Sequence, residues 1–280
     1  MQGIRPGIRE VAMACALLAA GGTAPAQAVP SFDHGYRAWS AILAERVHEG
    51  GLVDYDGLRR DRAGFDAWLT SLEAVPAADF AAWPVAQREA FWINAYNGYA
   101  IQLVLDHAPK KSIRDLGGLF SSVFAKEFIP LGHLHGRPGE RLSLGEIEHQ
   151  ILARESPSPL FHFAIVCASA SCPELRPAAY TGDGLEQQLA DRARKFLADP
   201  TRNAPRIRGG VLRVSKIFDW AEDELGQYPG GIRQLLADLG PATWTSDPAL
   251  GKVRLKYLDY DWKLNAWKPA KDSRTSPRKR

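Results

Sequence analysis

Net charge, cysteine and long apolar runs are all scarce in this sequence. The 35 Lys and Arg side chains outnumber the 32 Asp and Glu side chains by three, and no stripe of basic residues carries interleaved aromatics. Nucleic acid is therefore not an expected partner. The uncharged apolar run at residues 11–20 is far shorter than the roughly 20 residues that a membrane-crossing helix needs. No later segment is apolar enough, so the mature chain is expected to have no integral membrane segment.

The first 28 residues have the three parts of a cleavable signal peptide. Arg5 and Arg9 supply positive charge, residues 11–20 form the apolar part, and Ala26-Gln27-Ala28 has the small-x-small pattern of a cleavage site. Cleavage is expected after Ala28, with Ala26 as an alternative and a retained anchor as another. The sequence thus predicts a periplasmic or secreted protein.

The remaining chain has the composition of a globular protein, 45% apolar and 24% charged residues over the full sequence. It shows no internal repeat and no long linker, and its length suits one domain. Residues 268–280 are rich in basic charge and lack apolar residues able to bury, which favours disorder. The expected organisation is a signal peptide at 1–28, a single domain at 29–266 and a basic disordered tail at 267–280.

Periodicity predicts a helix-rich α+β fold with a small, mainly antiparallel sheet around a buried central helix. The central helix spans residues 86–107 and is apolar on nearly every face between 91 and 105. Ser143 and Glu146 form a capping box that opens a helix to about residue 154. The apolar run 161–167 is typical of a buried strand. Further helices are expected at 34–49, 58–73, 185–197, 216–225 and 231–239, extended chain at 128–134, a Gly-Gly hairpin at 207–212 and a closing strand at 252–259.

Two amides interrupt the apolar central helix on one face, at Asn94 and Asn97, with Tyr96 beside them. A buried amide without partners costs about 1–3 kcal/mol, so each should have dedicated hydrogen bonds. One interpretation is that they tie the helix to neighbouring loop backbone. The other is that they bind substrate or orient a catalytic group.

The cysteines are the sharpest chemical signal. Of three in the chain, Cys15 lies in the predicted signal peptide, which leaves Cys167 and Cys172 in a turn of small residues after the predicted strand. A thiol there could act as a nucleophile if a base or a helix dipole lowers its pKa. Strand alternation places His162 and Cys167 on opposite faces and argues against a direct dyad between them. Cys172 is therefore the preferred nucleophile.

Candidate bases for Cys172 are His162 and His149, with Glu148 as an acid able to orient one of them. Two other interpretations of the cysteines stay open. An exported pair of cysteines commonly forms a disulfide, and four intervening residues allow a Cys167–Cys172 bridge. A zinc site that uses both thiols has weaker support, because no second cysteine pair is present.

Two further patterns have ordinary explanations. His133 and His135 share one face of an extended segment and could hold a metal, but no third ligand is near and an exposed loop accounts for them. Asp259 and Asp261 could orient a histidine, as the acid of a catalytic triad does, or could cap turns. No cofactor is expected.

Several of these residues lie in motifs that resemble domain-of-unknown-function family 547, between about residues 84 and 265. The resemblance places Asn94, Glu148, His149, His162, Cys172 and Asp261 in the family's pattern, and leaves His133 and His135 outside it. It implies no established activity. The motifs are FWINAYN at 91–97, LSL at 142–144 with IEH at 147–149, HFA at 162–164 leading to SCP at 171–173, SKIF at 215–218 with Trp220, and Tyr257 with YDW at 260–262 and LN at 264–265.

Two hypotheses of function follow. In the first, the protein is a cysteine-dependent hydrolase or acyl transferase acting on an amide or ester, with Cys172 as nucleophile, His149 or His162 as base, and Glu148 or Asp261 orienting it. Asn94, Asn97, Tyr96 and Cys167 would then contact substrate, the amides by donating to an oxyanion. In the second, the protein is a non-catalytic envelope protein that binds a small-molecule or peptide ligand. A Cys167–Cys172 disulfide would then stabilise its fold.

Overall fold

A computed structural model describes residues 31–117 and 122–269. Its α-helices are α1 (Arg37–Arg46), α2 (Tyr55–Arg60), α3 (Ala63–Glu73), α4 (Ala77–Ala82), α5 (Val85–His107), α6 (Leu144–Glu146), α7 (Ala153–Glu155), α8 (Leu185–Ala198), α9 (Ile217–Trp220), α10 (Glu222–Leu225), α11 (Gly231–Leu239) and α12 (Ala242–Thr245). A π-helical stretch, Ile147–Leu152, joins α6 to α7. The strands are β1 (Val47–His48), β2 (Leu52–Val53), β3 (Val211–Val214) and β4 (Arg254–Tyr257).

Helix α5 is the centre of the fold, as its apolar pattern predicts. Every residue from Glu89 to Ile101 is buried, so the helix contacts protein on all sides along this stretch. It ends at Ala108, whose left-handed backbone (φ 43°, ψ 55°) turns the chain just before Pro109. One hydrophobic core extends around it through the described residues, from Tyr36 to Val253.

Helix α3 packs against α5 through a glycine. The Trp68 ring stacks on Trp39 with centroids 4.0 Å apart and 5° between the planes. On the other side, a Cβ added at Gly98 would lie 2.6 Å from Cη2 of Trp68. The close approach of these two helices therefore depends on the missing side chain at Gly98.

We expect Gly98→Ala to lower the free energy of unfolding by about 1–3 kcal/mol, because the added methyl group must displace the stacked indoles. Gly64→Ala is the matched control, since Gly64 lies exposed in α3 with open space around its Cα. That change should raise the free energy of unfolding by about 0.5–1 kcal/mol. Urea unfolding of both variants checks the pair, and equal effects would contradict the packing described.

The four strands in the described chain form one antiparallel pair and one parallel pair. Strands β1 and β2 pair antiparallel, and β3 and β4 pair parallel with Val211 opposite Arg254. Most isolated bridges are antiparallel, including Ile129 with Leu142 and Ser169 with Leu264. The predicted Gly-Gly hairpin is present, with Gly209 and Gly210 both at positive φ between Arg208 and Val211. Together these elements confirm a helix-rich α+β fold.

The strand predicted at 161–167 is wrong. The segment begins as a 3-10 helix, Pro159–Phe163, capped by the Ser158 side chain on the backbone N–H of Leu160 and followed by irregular chain. Asn97 of α5 makes the hydrogen bonds to this backbone that a neighbouring strand would have made. Its side chain donates to Ala164 O at 3.0 Å and accepts from Val166 N at 2.8 Å. The segment is buried, as predicted, but a side-chain amide satisfies its backbone.

Other predicted helices are present with shifted ends. The capping box at Ser143 and Glu146 is confirmed, with both reciprocal hydrogen bonds made. The helix predicted at 58–73 is divided into α2 and α3 at Asp61, whose backbone is not helical. Arg62 follows and bridges α3 to α5 through Asp106.

The two ends of the predicted organisation fall mostly outside the described residues. The predicted signal peptide lies wholly outside them, as does the predicted tail from residue 270 onward. The start of that tail is part of the fold, because Trp267 donates its backbone N–H to Val53 O at 2.8 Å and stacks on His48. Within 31–117 and 122–269, no helix combines the length and apolar character needed to cross a membrane.

Candidate dithiol site

One cavity of about 1230 Å³ gathers most of the residues that the sequence nominates. Its lining includes Cys167, Cys172, His162, His149, Glu148 and Tyr96. These residues come from α5, the π-helical stretch, the 3-10 helix Pro159–Phe163 and the turn that follows it. Asn94, Asn97 and Asp261, all described residues, do not line this cavity.

The turn that carries both cysteines, residues 167–172, is held along its length by backbone hydrogen bonds to residues 261–265. Ala170 N donates to Lys263 O, Ser171 N donates to Asp261 O, and the N–H of Asn265 donates to Ala168 O. From the other side, Arg202 donates to the carbonyls of Cys172 at 2.6 Å and Ala170 at 3.1 Å. The thiols therefore sit on a loop whose backbone is fixed at both edges.

Ala168 adopts a left-handed conformation immediately after Cys167. Its φ of 62° is one of three positive values at non-glycine residues in the described chain. Such a backbone costs on the order of 1–3 kcal/mol and persists only where surrounding contacts impose it. Here it turns the chain sharply, and the backbone N–H of Cys167 points to the Cys172 sulfur at 3.1 Å.

Both cysteines are free thiols in this structure, and one tyrosine contacts the two of them. The hydroxyl of Tyr260 donates to Cys172 Sγ at 3.1 Å and lies 3.6 Å from Cys167 Sγ. Cys167 is partly exposed and lies 3.5 Å from the hydroxyl of Ser169. Cys172 is more deeply buried than Cys167, with 2% of its surface exposed.

The two thiols differ in acidity for identifiable reasons. Hydrogen bonding from Cys172 lowers the pKa of Cys167 and outweighs its partial burial. Burial raises the pKa of Cys172 well above its usual value, and the contact with Cys167 raises it further. The accessible thiol, Cys167, is therefore the more acidic one, whereas the sequence favours Cys172 as the nucleophile.

A pair formed by a buried imidazole and a partly buried acid lies on the same cavity wall. His162 Nδ1 is 3.7 Å from Glu148 Oε1, and the His162 side chain is 2% exposed. Tyr96 donates its hydroxyl to Glu148 Oε2 at 3.1 Å. Burial opposes ionisation of Glu148, but the contacts with His162 and Tyr96 and the charge of His149 together outweigh it and hold the pKa of Glu148 below its usual value.

The other ring nitrogen of His162, Nε2, is buried without a hydrogen-bond partner among the described residues. No hydrogen bond joins either sulfur to a histidine within that part of the chain. His162 therefore has Nδ1 facing an acid and Nε2 buried beside the cavity without a partner.

The two side-chain amides of α5 form hydrogen bonds with backbone groups of other segments, as the first interpretation of them predicts. Asn94 donates to Tyr180 O at 2.7 Å and accepts from Tyr180 N at 3.0 Å. Asn97 makes the equivalent pair of bonds with Ala164 and Val166, just before Cys167. Since both ends of each amide are occupied, neither is positioned to stabilise an oxyanion.

The remaining candidates lie away from the thiols or in ordinary contacts. His149 is at the cavity rim, 54% exposed, with Nδ1 3.7 Å from Glu224 Oε1. Asp261 accepts from the backbone N–H of Lys263 at 3.0 Å and lies 3.4 Å from Lys263 Nζ, so it caps a turn. His133 contacts Val75 O and His135 contacts Glu155. The described residues include no group of three or more His, Cys, Asp or Glu that could hold a metal ion.

Sequence reasoning did not single out the aromatic and basic residues around the thiols. Trp220, Tyr260 and Trp262 line the cavity with ring centroids 4.6–5.4 Å apart, and Trp220 is 47% exposed. Arg202 clamps the cysteine turn from a loop some 30 residues away. Tyr260 and Trp262 flank Asp261 in the motif at residues 260–262. That motif therefore did indicate that this segment contributes to the site. Its charged residue caps a turn, and its aromatic residues are the ones that reach the cavity.

The Glu148–His162 pair predicts a pH-dependent contribution to stability. Because the pKa of Glu148 is lowered by folding, its contribution is present above the unfolded-state pKa of about 4.3 and is lost as the pH falls through the lower folded-state value. We expect Glu148→Gln to cost about 1.5–3 kcal/mol near neutral pH, and the cost should shrink below about pH 4. Denaturant unfolding over this pH range measures it.

Glu155→Gln is the matched control for that measurement. Glu155 lies 3.8 Å from His135 Nδ1, but both side chains are about a third exposed. An exposed pair of this kind contributes about 0–1 kcal/mol. If the two variants show the same cost at every pH, the Glu148–His162 pair does not act as a buried ion pair.

Fold and site together define a helix-rich α+β protein with two thiols and an acid–imidazole pair in one cavity. Residues 80–197 match the family model described as "Protein of unknown function, DUF547", which supports the resemblance to that family over this part of the chain. The match includes the motifs at 91–97, 142–149 and 162–173, while those at 215–220 and 257–265 lie beyond it. Neither a curated protein nor a solved structure gives a significant match to the chain.

Proposed function

We propose that the chain acts in the cell envelope as a thiol-dependent hydrolase or acyl transferase on an amide or ester bond. The observation that carries this proposal is the sharing of one cavity by an accessible thiol of lowered pKa and a buried histidine already oriented by an acid. The predicted signal peptide supports the envelope location.

Cys167 is the nucleophile in this proposal, in place of Cys172. A nucleophile must be reached by substrate and must be ionised at working pH. Cys167 is the more exposed and the more acidic of the two thiols, whereas Cys172 lies buried with a raised pKa. Attack by the Cys167 thiolate on the carbonyl carbon forms a thioester and expels the alcohol or amine.

His162 is the general acid and base. Glu148 faces Nδ1 of His162 and favours the tautomer that leaves Nε2 for proton transfer, and Tyr96 fixes the carboxylate. The imidazole takes the proton of the Cys167 thiol at Nε2 and, as imidazolium, donates it to the leaving group. It then removes one from the water or acceptor that attacks the thioester. No sulfur–imidazole hydrogen bond is needed in the resting state, since catalytic contacts commonly tighten only with substrate bound.

Tyr260 replaces the α5 amides as the donor to the developing oxyanion. Its hydroxyl lies 3.6 Å from Cys167 Sγ, within reach of a carbonyl oxygen on the attacked carbon. Burial raises the pKa of Tyr260 and so keeps its proton available for donation.

The rival proposal is a non-catalytic envelope protein that binds a ligand and is stapled by a Cys167–Cys172 disulfide. The aromatic wall of Trp220, Tyr260 and Trp262 favours it, because such rings bind ligands in sites without chemistry. Thiol titration of protein isolated from its native compartment separates the proposals. Two titratable thiols favour the enzyme, and a quantitative disulfide favours the binding protein.

The direct test is trapping of a thioester on Cys167. Purified protein is mixed with a panel of activated acyl esters and amides at neutral pH, quenched in acid and measured by intact mass and peptide mapping. An acyl group on Cys167 that turns over on addition of an amine or water supports the proposal. Acylation confined to surface lysines with no turnover contradicts it.

A further inference from the structure

The two thiols are arranged for chemistry with each other. Cys172 Sγ receives two hydrogen bonds, from the backbone N–H of Cys167 at 3.1 Å and from the hydroxyl of Tyr260 at 3.1 Å. The same hydroxyl lies 3.6 Å from Cys167 Sγ. Acyl transfer as proposed above needs only one of these sulfurs and uses the Tyr260 hydroxyl at the substrate carbonyl, so Cys172 itself is left without a role.

Access and acidity divide the pair into an outer and an inner thiol. The outer one, Cys167, opens to the cavity and is the more acidic. The inner one, Cys172, is almost completely buried behind it and keeps its proton in the resting state. A bulky disulfide substrate would therefore meet Cys167 first.

We propose that Cys167 and Cys172 form an exchange dithiol that reduces a disulfide bond in a substrate entering this cavity. This activity is additional to acyl transfer and shares with it Cys167 as nucleophile and the hydroxyl of Tyr260. The substrate class is a mixed or symmetric disulfide with at least one accessible sulfur.

The reaction proceeds in two balanced exchanges. The Cys167 thiolate attacks one sulfur of the substrate, so that a Cys167–substrate disulfide forms, the substrate S–S bond breaks and one substrate thiolate leaves. Cys172 then loses its proton to solvent and attacks Cys167 Sγ, releasing the second substrate thiolate and closing a Cys167–Cys172 disulfide. The substrate gains two electrons and the dithiol loses two. An external dithiol regenerates the protein by the same exchange in reverse.

The environment of Cys172 favours this order of events. Burial raises its pKa first, and the contact with Cys167 raises it further. Once Cys167 is held in a mixed disulfide, its thiolate charge is gone and that second cause disappears. The Cys167 N–H and the Tyr260 hydroxyl remain as donors to the inner thiolate. Tyr260 is thus a positioning residue whose hydroxyl promotes the second exchange.

The experiment uses reduced full-length mature protein and oxidised glutathione as the probe, with acid quenching, intact mass and quantitation of released glutathione. Wild type should form a transient adduct and then an internal disulfide, with two glutathione molecules released per chain. Cys172→Ser should stop at one stable glutathione on Cys167. Cys167→Ser should react at least about tenfold more slowly.

Tyr260→Phe tests the role of the hydroxyl and keeps the ring in place. It should slow the second exchange roughly tenfold, since one hydrogen bond to a thiolate is lost, and slow the first exchange less, because the hydroxyl lies farther from Cys167 Sγ, at 3.6 Å, than from Cys172 Sγ, at 3.1 Å. The mixed disulfide should then accumulate. Tyr228→Phe is the matched control, because the Tyr228 hydroxyl binds Asp238 on the surface. It should behave as wild type.

Two outcomes would overturn the dithiol: stable glutathione adducts on both cysteines of wild type, or an internal disulfide that excess dithiothreitol, an external dithiol, does not open. Acylation assays on the same variants keep the two proposals separate. Cys172→Ser that is acylated normally but never traps a glutathione adduct refutes the exchange activity alone. Normal exchange with no acylation of wild type refutes the acyl transfer alone.

Discussion

Cys167→Ser is expected to reduce turnover of an acyl substrate by on the order of 10³-fold or more, while leaving the unfolding midpoint nearly unchanged. A serine hydroxyl keeps the size of the side chain but does not ionise near neutral pH, so the attacking group is lost. The Cys167 side chain is partly exposed and contributes little buried area. Initial rates with the best ester of the panel, together with urea unfolding of the same preparation, measure both quantities.

Cys172→Ser is the matched control for that variant, since it makes the same atomic change five residues away. Serine can still accept from Cys167 N–H and from Tyr260. We therefore expect turnover to fall by less than about tenfold. If instead Cys172→Ser abolishes turnover and Cys167→Ser does not, the nucleophile is the buried thiol that the sequence favours, and Cys167 is not the attacking group.

Much of the fold could be predicted because its strongest signals are local. An apolar run of four turns has no amphipathic alternative, so α5 had to be a buried helix. The capping box at Ser143 and the Gly209–Gly210 turn depend on side chains or backbone freedom within four residues. Each of these features depends on residues that are close together in the sequence and not on distant contacts.

The segment after Ser158 could not be predicted in the same way, because its conformation depends on a distant residue. Apolar β-formers at 161–167 favour a strand, but no strand lies beside them in the described chain, and Asn97 meets the backbone instead. Ser158 followed by Pro159 was the available local signal, since this pair is typical of a helix start. The error had a consequence for the site. Strand alternation separated His162 from Cys167, whereas the observed chain brings both to one cavity.

Residue types at the site were easier to predict than their roles. Cysteine, histidine and glutamate are conspicuous in a sequence, and five of the six nominated residues that line the cavity are of these types. Which thiol is exposed, which histidine faces an acid and which amides are already occupied all depend on contacts between residues far apart in the chain. Spacing along the chain carries no information about those contacts.

Asn97→Ala should combine a large loss of stability with a change in thiol reactivity. The truncation leaves Ala164 O and Val166 N buried without their partner, at about 1–3 kcal/mol each, so we expect a total loss of about 2–6 kcal/mol. Those two backbone groups immediately precede Cys167. Their release should therefore change the rate at which Cys167 reacts with an alkylating probe by more than about tenfold.

Asn94→Ala is the control, because Asn94 lies one turn earlier on the same helix and makes the same two bonds with the backbone of Tyr180. We expect a similar loss of stability and an alkylation rate within about twofold of wild type. Where Asn97→Ala does not fold, Asn97→Asp keeps the acceptor for Val166 N and loses the donor to Ala164 O, which gives a milder form of the same test. Equal alkylation rates in the Asn94 and Asn97 variants would mean that Asn97 stabilises the core without positioning the thiols. In that case the fixed geometry of the cysteine turn must come from Arg202 and residues 261–265 instead.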